Sequence, residues 1–70
     1  MFAKVQLTFS GGYTHEDAWI PREYAVHGRR ISVVTKDEKV WSCTVTTVYP
    51  LDRRNQPTDG DIVYSEVIPF

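Results

Sequence analysis

The chain has 70 residues, a net charge of −1 and one cysteine, Cys43. These values exclude a disulfide framework and a multi-thiolate zinc site, and they lack the strong positive charge of a dedicated DNA-binding domain. They leave one domain, residues 1–70, whose core must come from aliphatics and from 2 Trp, 4 Tyr and 3 Phe, since a domain this small buries only about 60% of its unfolded surface.

Ala3 to Phe9 alternates apolar and polar residues, with Ala3, Val5, Leu7 and Phe9 on one face. Period two predicts a half-buried strand. Ser10-Gly11-Gly12 predicts the turn that ends it. Thr14 to Tyr24 predicts one short helical or 3₁₀ turn, with Thr14 as N-cap and His15-Glu16-Asp17 as its solvated start. Pro21 limits that helix. Arg30 to Thr35 predicts a second strand, and Lys36-Asp37-Glu38-Lys39 a hairpin loop.

Val40 to Tyr49 is the strongest strand, dense in β-branched and aromatic residues. Trp41, Cys43 and Val45 share a face, which predicts a core role for Trp41. Val48 has the opposite parity, so a β-bulge is expected near Thr46-Thr47. Pro50 to Gly60 reads as a polar loop with Asp59-Gly60 as a turn. Asp61 to Ile68 predicts the last strand, closed off by Pro69. Together these elements predict an all-β domain: a small SH3-like five-stranded barrel, or a strongly bent antiparallel sheet with one short helical turn. The other arrangement is a twisted sheet with one helix packed on a face.

The pattern Trp19-Ile20-Pro21-x-x-Tyr24-Ala25-Val26-x-Gly28-Arg29, followed by a strand, a short loop and Trp41-x-x-x-Val45, resembles small uncharacterised proteins encoded by bacteriophages. The resemblance spans Trp19 to Val48. It implies a phage accessory protein working in a bacterial cytoplasm, and it transfers no site residues.

Catalytic signatures are missing from the sequence: no P-loop, no Gly-x-Ser-x-Gly, no His-Glu-x-x-His. His15, Glu16, Asp17 and His27 do not have the spacing of a metal site, and His27 before Gly28 reads as a turn residue. Cys43 reads as core. The expectation is therefore a protein without enzymatic activity, cofactor or metal. Met1-Phe2-Ala3-Lys4 leads straight into strand alternation, and no apolar run reaches the roughly 20 residues of a membrane helix. A cytoplasmic protein with no membrane partner is expected.

Arginines and aromatics carry the binding expectation. Trp19, Arg22, Tyr24, Arg29, Arg30, Arg53 and Arg54 are the candidate protein-binding residues, because Trp, Tyr and Arg dominate interface hot spots and guanidinium forks pair with carboxylates. Trp19 is open between a lid on the core and an exposed anchor. The same residues also suit a small nucleic-acid-binding barrel, which predicts steep salt dependence. A homodimer through an edge strand is the self-assembly alternative.

Overall fold

The computed structural model describes residues 1–50 and 56–69. Five strands form one antiparallel sheet: β1 (Phe2–Phe9), β2 (Thr14–Pro21), β3 (Arg30–Val34), β4 (Val40–Val48) and β5 (Val67–Pro69). Their order is β2-β1-β4-β3-β5. A 3₁₀ turn, Arg22–Tyr24, follows β2. The chain is thus β-rich, as its composition of β-branched residues and turn signals dictates.

The core lies on one face of the sheet. Val5, Leu7, Ala18, Ile20, Ile31, Val33, Cys43 and Val45 form a single cluster, with Phe9, Tyr24, Val48 and Tyr64 packed around it. Alternation on β1 works as expected, with Ala3, Val5 and Leu7 buried. The opposite face is lined by polar residues brought into register: Thr8 opposes Thr14 and Thr44, and Arg30 opposes Thr44.

Two bulges flank the middle of β1 and bend the sheet. On β4, Gln6 pairs with Thr47 and Leu7 with Val45, so Thr46 is the extra residue. This is the slip expected from the parity of Val48. Its pin is Gln6, whose Oε1 accepts from Thr46 Oγ1 at 3.0 Å and Thr47 Oγ1 at 3.1 Å. On β2, Val5 pairs with Ala18 and Leu7 with His15, which leaves the extra residue at Glu16-Asp17.

That second bulge corrects the expected helix at Thr14. Residues 14–21 are a strand, and the helical turn is confined to Arg22–Tyr24. One extra residue sets His15 on the same face as Ala18 and Ile20, so the period-two signal is broken and the segment does not look like a strand in sequence. His15 is buried rather than solvated, while Glu16 and Asp17 are exposed.

The last strand is shorter than the expected Asp61–Ile68. Residues 62–66 first cross past the edge of β2, where Trp19 N–H donates to the Ile62 carbonyl (3.0 Å) and Tyr64 N–H to the Trp19 carbonyl (2.8 Å). Only then does the chain pair with β3, as β5. The contact with β2 is an isolated parallel bridge, Trp19 to Val63. One bridge is not a ladder, so the sheet bends toward closure without becoming a closed barrel. Asp59-Gly60 forms the expected turn: Asp61 N–H donates to the Thr58 carbonyl (3.1 Å), and Gly60 has φ 96°.

The two hairpins use the same loop geometry. Phe9 N–H donates to the Tyr13 carbonyl and Gly12 N–H to the Phe9 carbonyl; Thr35 N–H donates to the Lys39 carbonyl and Glu38 N–H to the Thr35 carbonyl. The third loop residue is left-handed in both, Gly12 at φ 92° and Glu38 at φ 63°. Glycine adopts that region freely, whereas a side chain is strained there. Glu38→Gly is therefore expected to raise stability by about 1 kcal/mol, and Gly12→Ala to lower it by about as much. Urea denaturation of the two variants checks both signs.

Candidate functional site, an aromatic cleft between the hairpin tips

β1 and β3 run in the same direction, so the β1–β2 and β3–β4 tips meet at one end of the sheet. Ser10 joins them: its N–H donates to the Ser42 carbonyl (3.2 Å), and its Oγ donates to the same carbonyl (3.1 Å). Between the tips lies a cleft of about 410 Å³ walled by Phe9, Tyr13, Trp41 and Tyr64. Phe9 is the hub. Its ring centroid is 5.9 Å from Tyr13 and 6.5 Å from Tyr64, the latter edge-on. Such tilted and edge-to-face pairs hold aromatic walls in place.

Trp41 is 51% exposed and Tyr13 65% exposed. This corrects the expected core role of Trp41. Its parity with Cys43 and Val45 is right, but the β1 ladder ends at Phe9 opposite Cys43. Strand β1 therefore offers Trp41 no neighbour on that side, and the indole stands at the lip of the cleft. Sequence parity could not show where the adjacent strand stops.

Tyr64 reaches the cleft from the crossing segment. Its hydroxyl lies 3.2 Å from His15 Nδ1, and the two rings meet edge-on at 5.9 Å. Burial raises the Tyr64 pKa, with Tyr13 and Cys43 adding to the effect. The other ring nitrogen of His15, Nε2, lies 3.5 Å from Asp17 Oδ1. Nothing in the sequence linked His15 to Tyr64, which are separated by 49 positions.

Among the described residues, the expected arginines do not form one patch. Arg22 is exposed on the 3₁₀ turn, with Nη1 3.7 Å from Met1 Sδ. Arg29 lies over the Tyr24 ring at 5.4 Å, a cation–π contact that uses both candidates within the fold. The turn that carries Tyr24 follows Pro21, which opposes Phe2 at the start of β1, so this turn sits at the end away from the hairpin tips. Arg30 is on the polar face of the sheet, opposite Thr44. Arg53 and Arg54 lie outside the described residues. Trp19 is 3% exposed. It opposes Lys4 on the side away from the main core cluster. It is therefore no surface anchor in this fold.

Cys43 is buried at the core, as expected. Burial pushes its thiol pKa from 9.0 up to about 11. An acid whose folded pKa is raised favours the neutral form in the fold. The contribution of Cys43 to stability is therefore constant below pH 9 and declines between about 9 and 11, where the unfolded chain ionises first. At pH 8 the thiol should react with Ellman's reagent only as fast as the protein unfolds. Rapid labelling of the native protein would contradict this placement.

Among the described residues no group of three His, Cys, Asp or Glu side chains could hold a metal ion. No helix among the described residues is long and apolar enough to cross a membrane. No protein-family model, curated protein or solved structure matches the chain.

Proposed function

We propose that this chain is a small non-enzymatic binding module that captures a protein partner at the aromatic cleft and modulates it. The observation that carries the reading is the exposure of Trp41 and Tyr13 on the same apolar cleft. Exposed large aromatics converging on one concavity are costly to leave in water and are the residues that dominate protein interfaces. The bacterial cytoplasm, with a host or phage protein as partner, is the setting that the resemblance of Trp19 to Val48 suggests. The bridge between Trp19 and Val63 supports a barrel-like module of the SH3-like kind.

Arg22, Tyr24, Arg29 and Arg30 become a secondary surface in this reading. Their distribution over one end and one face of the sheet argues against a single carboxylate-binding fork. A nucleic-acid role is the alternative, since bases also stack on aromatics. The carboxylates beside the cleft, Asp37, Asp61 and Glu66, disfavour a phosphate backbone there.

Tagged protein incubated with bacterial lysate, in nuclease-treated and untreated halves, separates the two. The expected result is one dominant protein retained in both halves and retained equally by Arg29→Ala/Arg30→Ala. Retention lost on nuclease treatment, with steep salt dependence, would move the assignment to nucleic acid.

A further inference from the structure

Residues 62–66 form a strap that crosses from β2 to β3. At β2 it is held by the Ile62 carbonyl and the Tyr64 N–H, which bond Trp19 at 3.0 and 2.8 Å. At β3 it is held by the Glu66 carbonyl, which accepts from Val34 N–H at 3.1 Å. Along an extended chain, successive residues turn their N–H and C=O groups to opposite edges. Val63 therefore turns both of its groups away from β2, toward the side where β3 stands. Between the strap and the end of β3 lies a groove of about 690 Å³, with Val34 and Asp37 on one wall and Val63 and Ser65 on the other.

The carboxylates of this groove are largely engaged. Asp61 accepts from Thr58 N–H at 2.8 Å and Thr58 Oγ1 at 3.2 Å, and Asp37 accepts from Thr35 Oγ1 and lies 3.7 Å from Lys39 Nζ. Lys36 and Glu66, one of each sign, are the other charges of the lining. The main chain is what stands open. Val63 is half-buried, yet neither it nor Ser65 makes a backbone hydrogen bond with the described residues. A partly buried N–H or C=O without a partner carries a desolvation cost that a partner removes. The sheet's other edges are blunted, β5 by its three-residue length and Pro69, β2 by its bulge and by the strap itself.

From this we infer that the groove takes an extended peptide segment of a partner protein, docked as a strand against Val63. A segment N–H donates to the Val63 carbonyl, and a segment C=O accepts from the Val63 N–H, as in strand addition at an open sheet edge. The groove volume of about 690 Å³ falls within the roughly 300–1,000 Å³ of ligand pockets. Proline is excluded from the paired position, because it has no N–H to donate. The side chains of the segment alternate between the groove and solvent, so its sequence is read at every second residue. This adds a main-chain contact to the protein-binding module proposed above. It does not depend on the aromatic cleft, which meets the groove at Thr35 and Tyr64.

The test is amide hydrogen exchange on the isotopically labelled full chain. Linear random decapeptides are selected on the immobilised protein, and the tightest binder is synthesised in three forms: unmodified, N-methylated on its odd-numbered residues, and N-methylated on its even-numbered residues. Methylation removes the N–H donors and leaves every side chain in place. In the free protein the Val63 amide is expected to exchange freely and the Tyr64 amide slowly, because Trp19 holds the latter. The unmodified peptide should slow Val63 exchange about tenfold or more and leave Tyr64 unchanged. One methylated form should bind as the unmodified peptide does, and the other about tenfold more weakly or worse, the period-two signature of a strand.

Failure to select any peptide overturns the inference, as does a selected peptide that leaves Val63 exchange unchanged. Equal loss or equal retention of binding in the two methylated forms overturns it as well. Val63 protection that rises with protein concentration alone would make a second copy the occupant, against the inference. If the peptide arm fails while lysate capture still depends on Trp41, the groove assignment falls and the cleft reading stands. If a peptide protects Val63 while capture is independent of Trp41, the cleft reading falls and the groove assignment stands.

Discussion

Replacing the two tryptophans with alanine should give opposite phenotypes. Trp19→Ala is expected to destabilise by about 3–5 kcal/mol, the range for deleting a buried large aromatic. A 70-residue domain holds only about 4–10 kcal/mol in total, so this variant should be largely unfolded at 37 °C. Trp19 is 3% exposed, and its backbone holds the crossing segment at Ile62 and Tyr64. The cavity would loosen that crossing as well. Trp41→Ala should lose about 1 kcal/mol or less, because the side chain is half in water. It should keep a cooperative thermal transition and lose partner capture. Circular dichroism melts of both variants settle the contrast; a Trp41→Ala protein that unfolds with Trp19→Ala would return the indole to the core.

Leu7→Ala carries the second large effect. Leu7 is fully buried and sits on β1, between β2 and β4, with His15 across one ladder and Val45 across the other. Both bulges fall beside it, so its neighbours are fixed by bent backbone and cannot easily collapse into the space. We expect a loss of about 2–5 kcal/mol, toward the upper end because relaxation is limited. Guanidinium denaturation gives the number. A loss below about 1 kcal/mol would mean that the bulged region repacks.

Much of the sheet was legible in the chain because it obeys one period. Ala3, Val5 and Leu7 announce β1, and the parity slip of Val48 announces the bulge at Thr46. Cys43 and the Asp59-Gly60 turn were legible for the same local reasons. β2 was not, since its own bulge at Glu16-Asp17 hides the alternation between His15 and Ala18. Trp41 was misplaced because parity gives a face and not a depth: the end of β1 decides the depth, and that is a long-range fact. The site was less legible still. Phe9, Tyr13, Trp41 and Tyr64 are scattered over most of the chain, and only the meeting of two hairpin tips with a crossing segment makes them one surface. The arginines drew notice as neighbours in sequence, yet the fold disperses Arg22, Arg29 and Arg30.

The most direct test of the cleft is capture from nuclease-treated bacterial lysate by wild-type protein and by Trp41→Ala of matched thermal stability. The account predicts a single retained protein with the wild type and its loss with the variant. Equal capture by both would contradict it and turn attention back to the arginine-bearing face.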